Sequence, residues 1–122
     1  MSGGIIQPEL VKSILRDVIR LVFGVNGSRI LELHLGRMLR SDPYDVFCEN
    51  PKLFCDGLRS FFGNGTKGLL QVLAKTLIKQ YRIRDMSPEE LIDLLNRGDV
   101  KSKNQLFTIL CSSYYMARGG EL

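Results

Sequence analysis

At 122 residues, 44% hydrophobic and 25% charged, with a formal net charge of +4, the chain has the composition of one globular domain. The apolar fraction is too high for a disordered chain of this charge, and no stretch near 20 residues lacks charge, which excludes a membrane-spanning helix. A pI near 9.1 permits an anionic partner without requiring one.

Taken in order, the segments read as helix after helix. Pro8 suits a first helical position, where its missing N–H costs nothing. Behind it Leu10, Val11, Ile14, Leu15, Val18, Ile19 and Val22 recur at steps of three and four and predict one apolar face. Gly24-Val25-Asn26-Gly27 breaks that pattern. Ser28 is placed to cap a second helix, which Ile30, Leu31, Leu33, Leu35, Met38 and Leu39 carry to about Arg40. Asp42 and Pro43 restart the chain as cap and first position, and Asp45 adds negative charge to the first turn. Asn50-Pro51 repeats the signal, so the segment between is short. Leu53, Phe54, Leu58, Phe61 and Phe62 form the next predicted apolar face, with Gly63 as its C-cap.

Thr66 starts a helix whose core is Leu69, Leu70, Leu73, Leu77, Ile78 and Tyr81. Ser87-Pro88-Glu89-Glu90 is a capping box, in which the Ser87 hydroxyl accepts from the Glu90 amide and the Glu90 carboxylate accepts from that of Ser87. That helix carries Leu91, Ile92, Leu94 and Leu95 and stops at Gly98. A last helix is expected from about Lys103 to Ala117, with Leu106, Phe107, Ile109, Leu110 and Tyr114 inward. No strand-like alternation of useful length and no internal repeat is present. The expected fold is a single all-α domain over 1–122, a compact bundle of six or seven short-to-medium helices, mostly antiparallel, with 87–117 as a C-terminal helix pair.

The Met1–Ile6 segment lacks a basic region, a long apolar region and a cleavage site, and Arg118–Leu122 matches no lipidation or retention signal, so the expected location is the cytoplasm. An odd count of three cysteines (Cys48, Cys55, Cys111) is then expected as reduced thiols. Cys48 and Cys55 lie seven apart across Pro51, wider than the roughly two-to-four spacing of a zinc pair, and His34 is the lone histidine. No metal and no cofactor is expected.

Charge is segregated along the chain. Residues 57–84 carry Arg59, Lys67, Lys75, Lys79, Arg82 and Arg84 and no acid, while 41–56 and 85–99 are net acidic. Lys67, Gln71, Lys75, Lys79 and Arg82 step by four, four, four and three, which places them on one stripe opposite Leu70, Leu73, Leu77 and Tyr81. The plainer reading is a solvated face neutralised by acids of the same chain, such as Asp85, Glu89 or Asp93. The functional reading is a docking strip for phosphate or an acidic protein surface, carried by Lys67, Lys75, Lys79, Arg82 and Arg84.

The remaining motifs each have a plain alternative. Gly63-Asn64-Gly65-Thr66-Lys67-Gly68 satisfies G-x-G-x-x-G, but the expected preceding segment is a helix, and a dinucleotide site needs a strand there. Gly65, Thr66 and Lys67 are left as a candidate loop site for a single phosphate or sulfate. His34, between Leu33 and Leu35, has no proposed nucleophile or acid partner and is expected partly buried and bonded to a neighbour. Glu89, Glu90 and Asp93 are explained by capping and the helix dipole. Tyr114-Tyr115 near Arg118 suits base stacking or, more plainly, core and subunit contacts. The turn at Gly98-Asp99-Val100, followed by Lys101, Lys103, Asn104 and Gln105, allows a helix-turn-helix, although the helix before the turn is acidic.

Ile30-Leu31-Glu32-Leu33-His34-Leu35, Asp45-Val46, Glu49-Asn50-Pro51, Phe54, Leu58, Phe62-Gly63-Asn64-Gly65-Thr66 and Leu69-Leu70 resemble a small archaeal helical family, the Nitrosopumilus output domain, over residues 28–83. The resemblance implies a signal-output role inside the cell and supplies no catalytic residues. With no catalytic constellation in the chain, the expected function is a non-enzymatic regulatory or interaction module acting through a protein partner or itself. A mean hydropathy of −0.00 is high for a small monomer and favours a homo-oligomer, in the simplest case a homodimer. The alternatives are a DNA-binding regulator using the 57–84 stripe or the last helix pair, and a sensor of small anions at Gly63–Gly68. No membrane partner is expected.

Overall fold

All four prolines of the chain open helices in the computed structural model, which describes residues 6–118. A proline at the first helical position lacks only an N–H that has no intrahelical partner there, and its fixed φ suits the helix. Pro8 thus begins α1 (Pro8–Leu39), Pro43 α2 (Pro43–Glu49), Pro51 α3 (Pro51–Phe62) and Pro88 α5 (Pro88–Arg97). Side-chain caps complete three of these starts. Asp42 Oδ1 accepts from the amides of Tyr44 at 2.8 Å and Asp45 at 3.3 Å, and Asn50 Oδ1 from that of Lys52 at 3.0 Å. Ser87 and Glu90 form both bonds of the capping box, at 3.1 and 2.8 Å. A 3-10 turn (Gly63–Gly65) leads into α4 (Thr66–Tyr81), and α6 (Val100–Arg118) closes the fold. The described residues are all-α, as the sequence predicts. The expectations for the extreme termini fall on residues 1–5 and 119–122, which lie outside the described residues.

The break in α1 is narrower than expected. Gly24 adopts φ 76, ψ 173, a conformation open in practice to glycine, and the helix resumes at once, so α1 consists of two arms meeting at that residue. Ser28 is therefore not a cap: it lies inside the second arm, buried, with its hydroxyl donating to the Val25 carbonyl at 2.8 Å. The last helix starts three residues earlier than expected, at Val100. Asp99 caps it, one carboxylate oxygen accepting from the Ser102 amide at 2.9 Å.

Every helix contributes to one core: Val11, Ile14, Val18 and Leu35 of α1, Phe47 of α2, Phe54 and Leu58 of α3, Leu73 and Leu77 of α4, Leu91 and Leu95 of α5, Leu106 and Leu110 of α6. Phe47 meets Phe54 edge-on, with centroids 5.4 Å apart, at the junction of α2 and α3. The void among Leu15, Val18, Phe47, Leu58 and Leu77 measures about 20 Å³, room for a water at most, and its apolar walls offer that water no partner. This part of the interior is packing rather than a ligand chamber. Leu53 and Phe61 depart from the predicted apolar face of α3 and stand exposed, because α3 buries the side that carries Phe54, Cys55 and Leu58.

Candidate functional site

α4 turns Leu70, Leu73, Leu77 and Tyr81 into the core, and the 3.6-residue period then sends Lys67, Lys75 and Lys79 to solvent, with Gln71 half-buried between them. The chain leaves the helix through Arg82 in the left-handed region (φ 52, ψ 46). Ile83 is buried and its amide donates back to the Ile78 carbonyl at 3.0 Å. This hydrophobic plug at the helix end leaves Arg82 and Arg84 exposed on either side of it. The five predicted cations thus extend from the start of α4 to just past its end, and the 12 helical steps from Lys67 to Lys79 span about 18 Å.

The acids of the same chain do not neutralise this face by contact. Ion pairs among the described residues engage Lys12, Lys52, Arg59 and Arg97; none includes Lys67, Lys75, Lys79, Arg82 or Arg84. Asp93 is held by Arg97 at 2.8 Å, Glu90 by the capping box, and Glu89 by Gln71 at 3.2 Å. The Glu89 carboxyl lies below its ordinary range, chiefly through its own backbone amide and Gln71, with a smaller contribution from the charge of Lys75.

The glycine loop is built differently from the anion cradle considered for it. Thr66 is buried, and its hydroxyl is used on backbone carbonyls, donating to Gly63 at 2.8 Å with that of Leu58 also in reach at 3.3 Å. It has no proton to offer a ligand beside Gly65 and Lys67. The segment before the loop is α3, not a strand, which removes the premise of a dinucleotide site. An open groove beside the loop is lined by Arg59, Lys67, Gln71, Glu89 and Asn96. Arg59 there is bonded to Asp56 and Asn96, and Glu89 puts a carboxylate in the wall.

His34 is exposed, not partly buried, and its ring stacks on Phe61 with centroids 5.1 Å apart. Tyr114 lies against Tyr81 at 6.2 Å, and the Tyr115 hydroxyl donates to Gln7 at 3.0 Å, tying the end of α6 to the start of α1. The helix-turn-helix candidate meets an electrostatic obstacle. The capping carboxylate of Asp99 sits at the α6 N-terminus, held below its ordinary range by its bonds to Ser102, and the Lys103 ammonium is drawn to the Glu49 carbonyl at 3.4 Å.

One cluster has no signal in the sequence. The Arg16 guanidinium carbon sits 4.7 Å from the centroid of the Tyr44 ring, and the Tyr44 hydroxyl donates to Glu32 at 2.5 Å. Burial, and then Glu32, push the Tyr44 phenol above its ordinary value. These residues come from both arms of α1 and from α2, so no spacing rule joins them. Among the described residues no group of three or more His, Cys, Asp or Glu side chains is arranged to hold a metal, and no helix is long and apolar enough to cross a membrane. No protein-family model, no curated protein and no solved structure matches the chain.

Proposed function

We propose that the protein is a non-enzymatic interaction module that engages an acidic protein surface through the exposed cations of α4 and the turn after it. The observation that carries this reading is that Lys67, Lys75, Lys79, Arg82 and Arg84 stand in solvent without a contact ion pair among the described residues. Exposed charge of one sign raises the local concentration of the opposite sign and speeds encounter. The signal-output character of the module rests on the resemblance of residues 28–83 to the Nitrosopumilus output domain. A duplex nucleic acid is less well suited, since Glu89 borders the stripe and Asp99 occupies the α6 N-terminus.

The test is fluorescence anisotropy with labelled polyglutamate and a labelled random-sequence duplex, across a salt series. The expected result is salt-sensitive binding of polyglutamate that the triple variant Lys75→Glu/Lys79→Glu/Arg82→Glu loses. Tighter binding of the duplex, with a log–log salt slope of about −4.5 for five phosphate contacts, would replace the proposal with DNA recognition. Absence of both interactions at low salt would overturn it.

A further inference from the structure

We propose that the second arm of α1 is a docking face for an acidic amphipathic helix of a partner protein, separate from the α4 stripe and independent of it. At about 100° per residue, Leu33, Arg37, Ile30 and His34 fall within an arc of about 100° on the side of the arm opposite Leu31 and Leu35, which face the core. The apolar members are open to solvent: Ile30 is 57% exposed and Leu33 54%, and Phe61 of α3, 41% exposed, extends the surface by stacking on His34. Scattered apolar side chains on a surface are ordinary, but these adjoin one another along one helix face, with a ring from the next helix added to it.

Charge complementarity selects the occupant. At the Leu33 edge the face runs into an open groove lined by Arg16, Arg20, Arg29, Glu32 and Tyr44. The acids of that groove are already used. Glu32 accepts from the Tyr44 hydroxyl, and Asp42 caps α2. Arg20, Arg29 and Arg37 make no hydrogen bond or contact ion pair among the described residues. An apolar strip bordered by unengaged guanidinium groups fits a helix that presents apolar residues at i, i+3, i+4 and i+7 and carboxylates along its flank, which Arg can take in two parallel hydrogen bonds. A second copy of this chain fits poorly, because two-fold pairing of the face would bring Arg29 and Arg37 of each copy against those of the other.

The experiment uses the full chain and three labelled synthetic helices in fluorescence anisotropy. One carries leucines at the four anchor positions and glutamates on the flank, the second replaces the glutamates with lysines, and the third replaces the leucines with serines. In the Lys75→Glu/Lys79→Glu/Arg82→Glu background, where the α4 stripe no longer draws acidic peptides, the expected result is binding of the first peptide only, weakened at least about tenfold by Leu33→Asp and by Arg20→Glu/Arg29→Glu. Binding in that background does not involve the α4 stripe, so failure here and failure of the α4 reading are told apart. Leu33 and Ile30 are exposed, so Leu33→Asp and the milder Ile30→Ser keep the wild-type thermal midpoint. No binding of the first peptide, equal binding of the serine or lysine peptide, or indifference to Leu33→Asp would overturn the proposal. So would a Leu33-dependent dimer in sedimentation equilibrium, or Leu33-dependent capture by phosphatidylserine vesicles without peptide binding.

Discussion

Alanine at Gly24 isolates the backbone energy of the break in α1. A Cβ built on Gly24 meets nothing within 4 Å, so the substitution removes no contact and creates no clash. What remains is the conformation, φ 76 and ψ 173, a region in which a residue with a side chain costs about 1–3 kcal/mol. Gly68, in the first turn of α4, is the control, because a Cβ there also meets nothing within 4 Å but the backbone is helical. Gly68→Ala is expected to gain about 0.5–1 kcal/mol from the restricted unfolded chain and better helix propensity. The unfolded-chain gain is common to both substitutions, so the two variants should differ by about 2 kcal/mol, which for a domain of this size is roughly 8 °C in thermal midpoint. Urea unfolding followed by circular dichroism, with the m-value checked for constancy, gives the difference directly. If Gly24→Ala is as stabilising as Gly68→Ala, the arms of α1 do not depend on a glycine-only conformation, and the reading of the break is refuted.

Three further outcomes follow from burial and charge. Leu58→Ala, at a fully buried side chain bordering the 20 Å³ core void, should cost about 3–5 kcal/mol in urea unfolding, a loss below about 1 kcal/mol meaning that the core closes over the gap. Native protein titrated with a thiol reagent at mildly alkaline pH should react first at half-buried Cys48. Cys55, its thiol pushed up to about 12 by burial, and buried Cys111 should react only on unfolding; fast native reaction in a Cys48→Ser variant would contradict their placement. Glu89 and Asp99 are held below their ordinary values, so their stabilising contributions are complete above about pH 5 and fade as the pH falls through their folded-state values. Glu89→Gln/Asp99→Asn should flatten the acid limb of the stability profile, and an unchanged limb would show that neither carboxylate is coupled to folding.

Helix starts were legible in the sequence because capping is local chemistry. A side chain reaches an amide two or three residues on whatever the rest of the fold does, so Asp42, Asn50 and Ser87 act as their types require, each before a proline that can only begin a helix. The basic block of 57–84 was legible for the same reason: charge belongs to residues, and helical period placed Lys67, Lys75 and Lys79 on the outward side of α4 before any tertiary contact was known. Tertiary structure alone decided what those patterns leave open. Leu33 and Leu35 are the same residue type two positions apart, yet one is exposed and one buried, because only one side of the arm meets the core. Thr66 looked like a ligand donor until the return of α4 against α3 set its hydroxyl beside two backbone carbonyls. Arg16, Glu32 and Tyr44 became neighbours only when Gly24 folded one arm of α1 against the other's partner, α2. A period or a cap is fixed over a few residues, whereas which apolar face is covered, and which charge is left unengaged, depends on elements that meet only after the chain has packed.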